Sequence, residues 1–384
     1  MHSRSLILTF LLSVFLTPGL VAQEKGGLVH RLLEKIRTPD RRYDAAYIYQ
    51  PVPRWHVDVT SGIRRAGVSQ ENRFVMFYGL PDEEGTIILT AGPATLETAL
   101  KGDFETTVGL SAGYGGLAGS FSRTLGKDKS HANTTFSFDL MMSGVALQLQ
   151  YFNFSQPMEY ALSVENAPSL DVSGTTDNPG RMRALIADVF YTFRRHRFDY
   201  SAVYKGGKIQ RKSAGSWMFG TKVILGETRS DPDEFFTPLT WGVVRQSTAQ
   251  VSFGGGFSYN WVPYHRQPYG AHEQGLRNLT ANVTFLPMVT LFNQFTSTYY
   301  MEVDGEMQPW RKVPMNGNLL VNYVARAGLC YSFGRYQANL SAAYDSYSYH
   351  GTTHPAGEGP SLDTVETGGR FERWTVTAKF GVKF

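Results

Sequence analysis

Two spacings in the chain could carry chemistry. Gly109-Leu110-Ser111-Ala112-Gly113 has the form G-x-S-x-G, which in hydrolases presents a nucleophilic serine. That use requires a strained strand-to-helix elbow, with the hydroxyl standing clear of the sheet. His350 and His354 are spaced i, i+4, the separation that puts two imidazoles on one face of a helix for zinc. Neither context fits. Ser111 lies inside a run that alternates with period two and leads into another strand. Gly351 and Pro355 argue for a polar loop around the histidines, where helical facing does not apply. A hydrolase would also need a Ser or Asp with a His at one strand height. His56 is the histidine that falls inside a recognised strand, on its polar face. We therefore expect no catalytic residues, no metal site and no cofactor.

The most informative set is ionic. The polar faces of the strands described next carry Asp58, Glu105, Asp139, Asp188, Asp199 and Asp345. They also carry Arg64, Lys205, Lys222, Arg326, Arg373 and Lys379. A strongly selective pore would use a ring of one sign. Six carboxylates against six cations predict ion pairs across a lumen and a narrow interior, because paired, hydrogen-bonded charges can be buried where single ones cannot.

The elements that must position these groups are long strands. In the C-terminal stretch Glu372–Phe384, Trp374, Val376, Ala378, Phe380, Val382 and Phe384 form one row, and Arg373, Thr375, Thr377, Lys379, Gly381 and Lys383 the other. Side chains of a strand alternate faces, so this segment has an apolar face and a polar, cationic one. The same alternation recurs at Arg54–Arg64, Phe104–Tyr114, Leu117–Phe121, Ala132–Met142, Val145–Tyr151, Leu185–Phe193, Phe198–Lys205, Ser216–Leu225, Val251–Trp261, Asn278–Phe285, Leu319–Tyr331 and Tyr336–Asp345. Apolar rows rich in Phe, Tyr and Trp face Gly, Ser, Thr, Asn and charge. That is the lipid-out, polar-in pattern of a membrane barrel, and a soluble sandwich would bury its apolar face on shorter strands. Gly115-Gly116, Ser143-Gly144 and Gly334-Arg335 read as tight turns. Ser155–Gly180 reads as a long polar loop, and parts of 70–90 and 227–317 are ambiguous. The expected fold is a transmembrane antiparallel up-and-down β-barrel of about 14 strands (range about 12–16).

Composition agrees. No stretch after the N-terminus approaches a membrane-spanning helix, and the mean hydropathy of −0.25 is modest, as alternation requires. Residues 1–22 read as a secretory signal, with Arg4, an apolar Leu6–Leu16 core and a cleavage site after Ala22. Residues 23–53 hold a short amphipathic helix, with Leu28, Leu32, Leu33 and Ile36 on one face, and an extended linker; residues 54–384 form the barrel. A net charge of +4 spread along the chain gives no argument for nucleic acid.

The run RMRALIADVFYTFRRHRFDYSAVYKGGKIQRKSAGSWMFGTKV resembles an uncharacterised Bacteroidetes family known as domain of unknown function 4421. Its core motif, Gln-x-x-Ser-Ala-Gly-Ser, stands here as Gln210, Ser213, Ala214, Gly215 and Ser216. The tract YIYQPVPRWHVDV and the hairpin VGLSAGYGGLAGSFS are also similar. The resemblance spans roughly Tyr43 to Phe384. It implies an outer-membrane-type barrel and supplies no reaction, ligand or catalytic residue.

The reading that follows is an exported, non-enzymatic outer-membrane barrel, a structural or interaction scaffold with a charge-paired, narrow lumen. An open or selective channel for small solutes is the alternative, and an outer-membrane hydrolase acting on lipid or peptidoglycan comes behind it. Expected partners are outer-membrane lipid, the barrel-assembly machinery through a C-terminal signal of Trp374, Phe380 and Phe384, and a small solute or a protein bound by the loops.

Overall fold

The computed structural model describes residues 43–51, 55–81, 86–126, 133–142, 144–165, 167–205, 208–231, 243–266, 275–303, 306–317, 320–353 and 365–384. The proposed signal, the amphipathic helix, Ser143 and His354 lie outside them.

The strands in chain order are β1 (Ile48–Tyr49), β2 (Trp55–Pro81), β3 (Ile87–Lys101), β4 (Glu105–Tyr114), β5 (Leu117–Thr124), β6 (Thr134–Met142), β7 (Val145–Gln156), β8 (Glu159–Val164) and β9 (Val172–Thr175). Then come β10 (Gly180–Thr192), a four-residue helix α1 (Ser201–Tyr204), β11 (Ile209–Gln210), β12 (Ala214–Arg229), β13 (Val243–Arg266), β14 (Arg277–Val303), β15 (Glu306–Asn316), β16 (Leu320–Phe333), β17 (Tyr336–Thr353) and β18 (Val365–Lys383).

Twelve of these close a ring of antiparallel neighbours: β2, β4, β5, β6, β7, β10, β12, β13, β14, β16, β17 and β18. Closure is by β18 on β2, in register from Lys383 against His56 to Glu366 against Arg73. Closing the sheet leaves no edge along that seam, which is what a barrel wall in hydrocarbon requires. The expected fold class holds, with a ring at the low end of the expected strand range.

The wall is uneven in height. β4, β5 and β6 are short, at 10, 8 and 9 residues, whereas β2 runs for 27. β2 therefore changes neighbour, pairing β4 along Trp55–Arg64 and β3 along Gly67–Pro81. β8 adds to β3, and β9 adds to β8. Two expectations are corrected here. The stretch 155–180 is not a plain loop: Met158, Leu162, Val164 and Ala167 are buried among apolar neighbours, and Leu162 and Val164 anchor a strand. Phe198–Lys205 is not a wall strand but part of the inward-folded connection between β10 and β12.

One end of the ring carries the tight turns. Gly115, Gly144 and Gly334 sit there at φ of 59°, 74° and 61°, a region that favours glycine. The chain also enters the wall at this turn end, at Trp55, and leaves it there, where the Phe384 amide donates to the Trp55 carbonyl at 3.0 Å. The connections between β5 and β6, β7 and β10, β12 and β13, β14 and β16, and β17 and β18 lie at the opposite, loop end, while the turn end also carries two longer ones, between β10 and β12 and between β13 and β14. Outward rows are apolar and exposed, as at Trp217, Phe219 and Leu225 or Val283 and Phe285, and inward neighbours such as Ser216, Met218 and Thr284 are buried.

Candidate functional site

The inward rows meet in a belt of five ionised groups. Asp188 and Lys222 are cross-strand partners on β10 and β12, and Asp345 and Arg373 on β17 and β18. Lys222 Nζ lies 2.9 Å from Asp345 Oδ1 and 3.0 Å from Asp188 Oδ1, the second contact being an ion pair without hydrogen-bond alignment. Arg326 on β16 donates from Nη2 to Asp188 Oδ2 at 3.0 Å. Arg373 donates to Asp345 Oδ2 from Nε at 3.2 Å and Nη2 at 2.5 Å. β10 and β12 are adjacent, as are β16, β17 and β18, so the Lys222–Asp345 and Arg326–Asp188 contacts reach across the interior. Arg373 also reaches Gln150 on β7 at 2.7 Å. Asp188, Lys222 and Asp345 are fully buried. Charges this dry are tolerated only when every one is paired, and deleting one partner of such a pair costs about 3–5 kcal/mol.

The other charged residues spread out from this belt. Lys205 bonds Asp139. Arg64 lies 3.6 Å from Glu105, whose carboxylate also accepts from Asn133, Gln156 and Thr124. Asp199 pairs with Lys208 at 2.9 Å. Asp58 accepts from Ser111 Oγ at 2.7 Å. Among the described residues, Asp58 and Lys379 have no oppositely charged side chain within 4 Å.

Below the belt the interior is filled from the turn end. The connection between β10 and β12 folds into the lumen instead of returning as a strand. Its alternation is real, but Phe198 and Tyr200, with Tyr204 half-buried beside them, use it to pack inward against Met141, Ala146, Phe190, Met218, Leu286, Met288 and Val324. Asp199 starts the turn, accepting from the Ser201 amide at 2.8 Å, and one helical turn follows. The wall then ties the segment down. Asn260 Nδ2 donates to the Asp199 carbonyl at 2.8 Å, Tyr204 Oη donates to Asn282 Oδ1 at 2.7 Å, and Asn339 donates to the Val203 carbonyl. The fit is close at Gly328, where a Cβ would meet Val203 Cγ1 at 2.6 Å.

The Gln210–Ser216 motif shapes this plug. Gln210, fully buried, donates to the carbonyls of Arg197 at 2.7 Å and Lys212 at 3.0 Å, and accepts from the Asp199 amide at 3.1 Å. Its backbone pairs with Ile48, so β1 and β11 lock the N-terminal segment to the plug. Ser213 Oγ accepts from the Val262 amide at 3.0 Å, and Ser216 Oγ from the Arg194 amide at 2.9 Å. Ala214 packs on the plug core, and a Cβ on Gly215 would meet the Phe257 ring at 2.5 Å. Tyr43, Tyr47 and Tyr49 cover Lys208, Arg197 and Arg211 at 4.4–5.2 Å. Burial alone would lower the Lys208 pKa, but the Asp199 carboxylate and Tyr43 outweigh it and hold the ammonium above its ordinary value.

Above the belt, Phe152, Phe154, Met182, Ile186, Ile224 and Phe371 form an apolar cluster inside the wall. Sequence reading missed it. The available signal was the inward row of β10, where Met182, Ile186 and Phe190 flank Asp188 in place of small polar residues. Between plug and cluster remains a polar chamber of about 200 Å³, whose lining includes Arg64, Lys205, Arg326, Arg373, Lys379 and Asp139. That is room for on the order of ten waters.

Ser111, Asp58 and His56 do converge at one height on β4 and β2, with Ser111 opposite Asp58 and Gly113 opposite His56. The hydroxyl donates straight to the carboxylate, and among the described residues His56 bonds to neither. A Ser-His-Asp triad needs the imidazole between the two. His265 and His350 also fall within strands, β13 and β17. Trp374, Phe380 and Phe384 all point outward, each at least half exposed.

The family model described as domain of unknown function (DUF4421) matches residues 69–354. Among solved structures, the outer membrane protease OmpT from Escherichia coli is 7% identical, covering 86% of this chain and 97% of that one, with a TM-score of 0.39. The translocator domain of autotransporter NalP from Neisseria meningitidis is 10% identical over 84% and 88%, with a TM-score of 0.28. The outer membrane protein OprG from Pseudomonas aeruginosa is 10% identical over 84% and 95%, with a TM-score of 0.25. No curated protein matches.

Proposed function

The chain belongs to the DUF4421 family, and we propose that it is a closed, non-enzymatic barrel of the outer membrane, exported by its first 22 residues, that serves as a structural or interaction scaffold. The observation that carries this reading is the doubly obstructed interior. A transmural belt of buried ion pairs and a hydrogen-bonded plug lie in series, with an apolar cluster above them. Apolar outward rows from the turn end upward, as at Trp55, Val57, Val59 and Ile63 on β2, support a lipid-embedded wall. Three tight turns at one end and the tall strand extensions at the other support a periplasmic turn end and an extracellular loop end. The tall β2–β3–β8 and β14–β15 extensions at the loop end are then the surface on which a partner would be bound, and the aromatic C-terminal strand is the feature offered to the assembly machinery.

Liposome swelling tests the reading. Proteoliposomes should be no more permeable to small sugars than empty liposomes, whereas swelling that scales inversely with sugar size would replace the scaffold by a channel. The channel reading keeps one supporting observation, the chamber of about 200 Å³, which a displaced plug would connect to the turn end.

A further inference from the structure

Strand register places three arginines side by side on the outside of the wall. Arg181 on β10 is the partner of Arg229 on β12, and Arg229 is the partner of Arg245 on β13. Directly opposed residues hold their Cβ atoms about 4.5–5.5 Å apart, and like charges in such pairs are destabilising. Arg183 lies one pleat further along β10, opposite Glu227. Glu227 binds Arg245 at 2.5 Å. Among the described residues, Arg181, Arg183 and Arg229 have no acid within 4 Å. Arg181, Arg183 and Arg229 border a cavity of about 350 Å³ together with Glu227 and Asp231, so four guanidinium groups face two carboxylates, one of them already paired with Arg245.

The row has a definite height. It lies on the same face as the exposed Leu185 and Leu225, which end the apolar outward rows of β10 and β12, and Arg181 and Arg229 are four residues beyond them toward the loop end. Such a spot on a barrel wall is the headgroup layer. We propose that these arginines bind a phosphorylated lipid headgroup of the outer leaflet. The proposal rests on the outer-membrane reading above. Guanidinium forks donate two parallel hydrogen bonds to phosphate oxygens, and a doubly charged phosphate removes the repulsion that the register otherwise imposes. Free phosphate would satisfy the same donors. The placement directly above lipid-facing leucines favours a ligand whose acyl chains can lie along them.

The test uses the whole protein in phosphatidylcholine nanodiscs that carry bisphosphorylated lipid A, dephosphorylated lipid A or neither, read by native mass spectrometry and by thermal midpoint. Wild-type protein should retain the phosphorylated lipid at least roughly tenfold better than the dephosphorylated one, about the discrimination expected of one or two charge-assisted hydrogen bonds. The R181Q/R229Q/R245Q variant should lose that preference while still inserting. R229Q alone, the middle of the row, should weaken it, which keeps the test valid if the triple variant fails to fold. Equal retention of both lipids, or undiminished preference in R229Q, overturns the proposal. Inorganic phosphate raising the midpoint as far as the lipid would overturn the lipid assignment. Failure of the wild-type protein to enter nanodiscs would instead overturn the outer-membrane reading, and the lipid site with it.

Discussion

Tyr204 Oη donates to Asn282 Oδ1 at 2.7 Å, joining the tip of the β10–β12 connection to a strand wall 78 residues away. Through this bond and its neighbours a turn-end connection becomes an interior element. A hydrogen-bonded contact of this kind contributes only about 1 kcal/mol net, so the plug depends on several acting together with apolar packing.

The packing term is the easier one to break. Gly328→Val would drive a side chain into Val203 at a position where a Cβ already falls 2.6 Å from its Cγ1. Overpacking costs roughly 1–3 kcal/mol. We predict that G328V displaces the plug while the barrel remains folded. Protease cleavage near Arg211 should rise from the turn end, with unchanged β-sheet circular dichroism.

Within the belt, the order of losses follows from charge. Lys222→Met leaves Asp188 with Arg326 and Asp345 with Arg373, two neutral pairs. Asp345→Asn leaves three cations facing one carboxylate. D345N should therefore destabilise by about 3–5 kcal/mol, and K222M by distinctly less. Urea unfolding in bilayers measures both, and the reverse order would refute the pairing scheme.

Charge placed outward should cost more than charge placed toward the chamber. Val283 is 64% exposed on the outer face, and Val283→Arg should cost roughly 2–4 kcal/mol at the midplane. Ser341→Asp, which adds a carboxylate to a chamber lined by five cations, should cost less. Thr284, which sequence alternation offered for this comparison, is packed against Ser258 and Asn282 and leaves no room for a longer side chain. Equal folding yields in bilayers for V283R and S341D would contradict the assigned faces.

Deleting Phe384 should lower the amount of protein in the outer membrane. The residue is exposed on the outer face beside the β2–β18 seam and adds an aromatic end to the last row. Quantitative blotting of membrane fractions checks this, with normal levels counting against a C-terminal assembly signal.

The parts of the fold that obey period two were legible in the residues. Val251–Trp261 and Phe104–Tyr114 needed only alternation to be placed, faces included. Period two could not tell wall from plug at Phe198–Lys205, because Phe198 and Tyr200 are as apolar as a lipid-facing row and only tertiary packing turns them inward. β8 was missed because six residues with two buried ones carry too little signal against a polar background. Of the ionic set, the local pair Asp345–Arg373 follows from adjacent strands, whereas Asp188–Lys222 does not, because Phe198–Lys205 reads as a wall strand between them. That Lys222 joins the two depends on the shape of the closed ring, which no local pattern encodes. Gln210 was visible as part of a motif, but its bonds to the Arg197 and Lys212 carbonyls could not be read from the residues.

Planar-bilayer recording decides whether the unmodified barrel is shut. Wild-type protein inserted at known density should give no stable conductance, and neither should G328V, in which the ion-pair belt and the apolar cluster still block the lumen. Large, stable steps from the wild-type protein would instead identify an open channel.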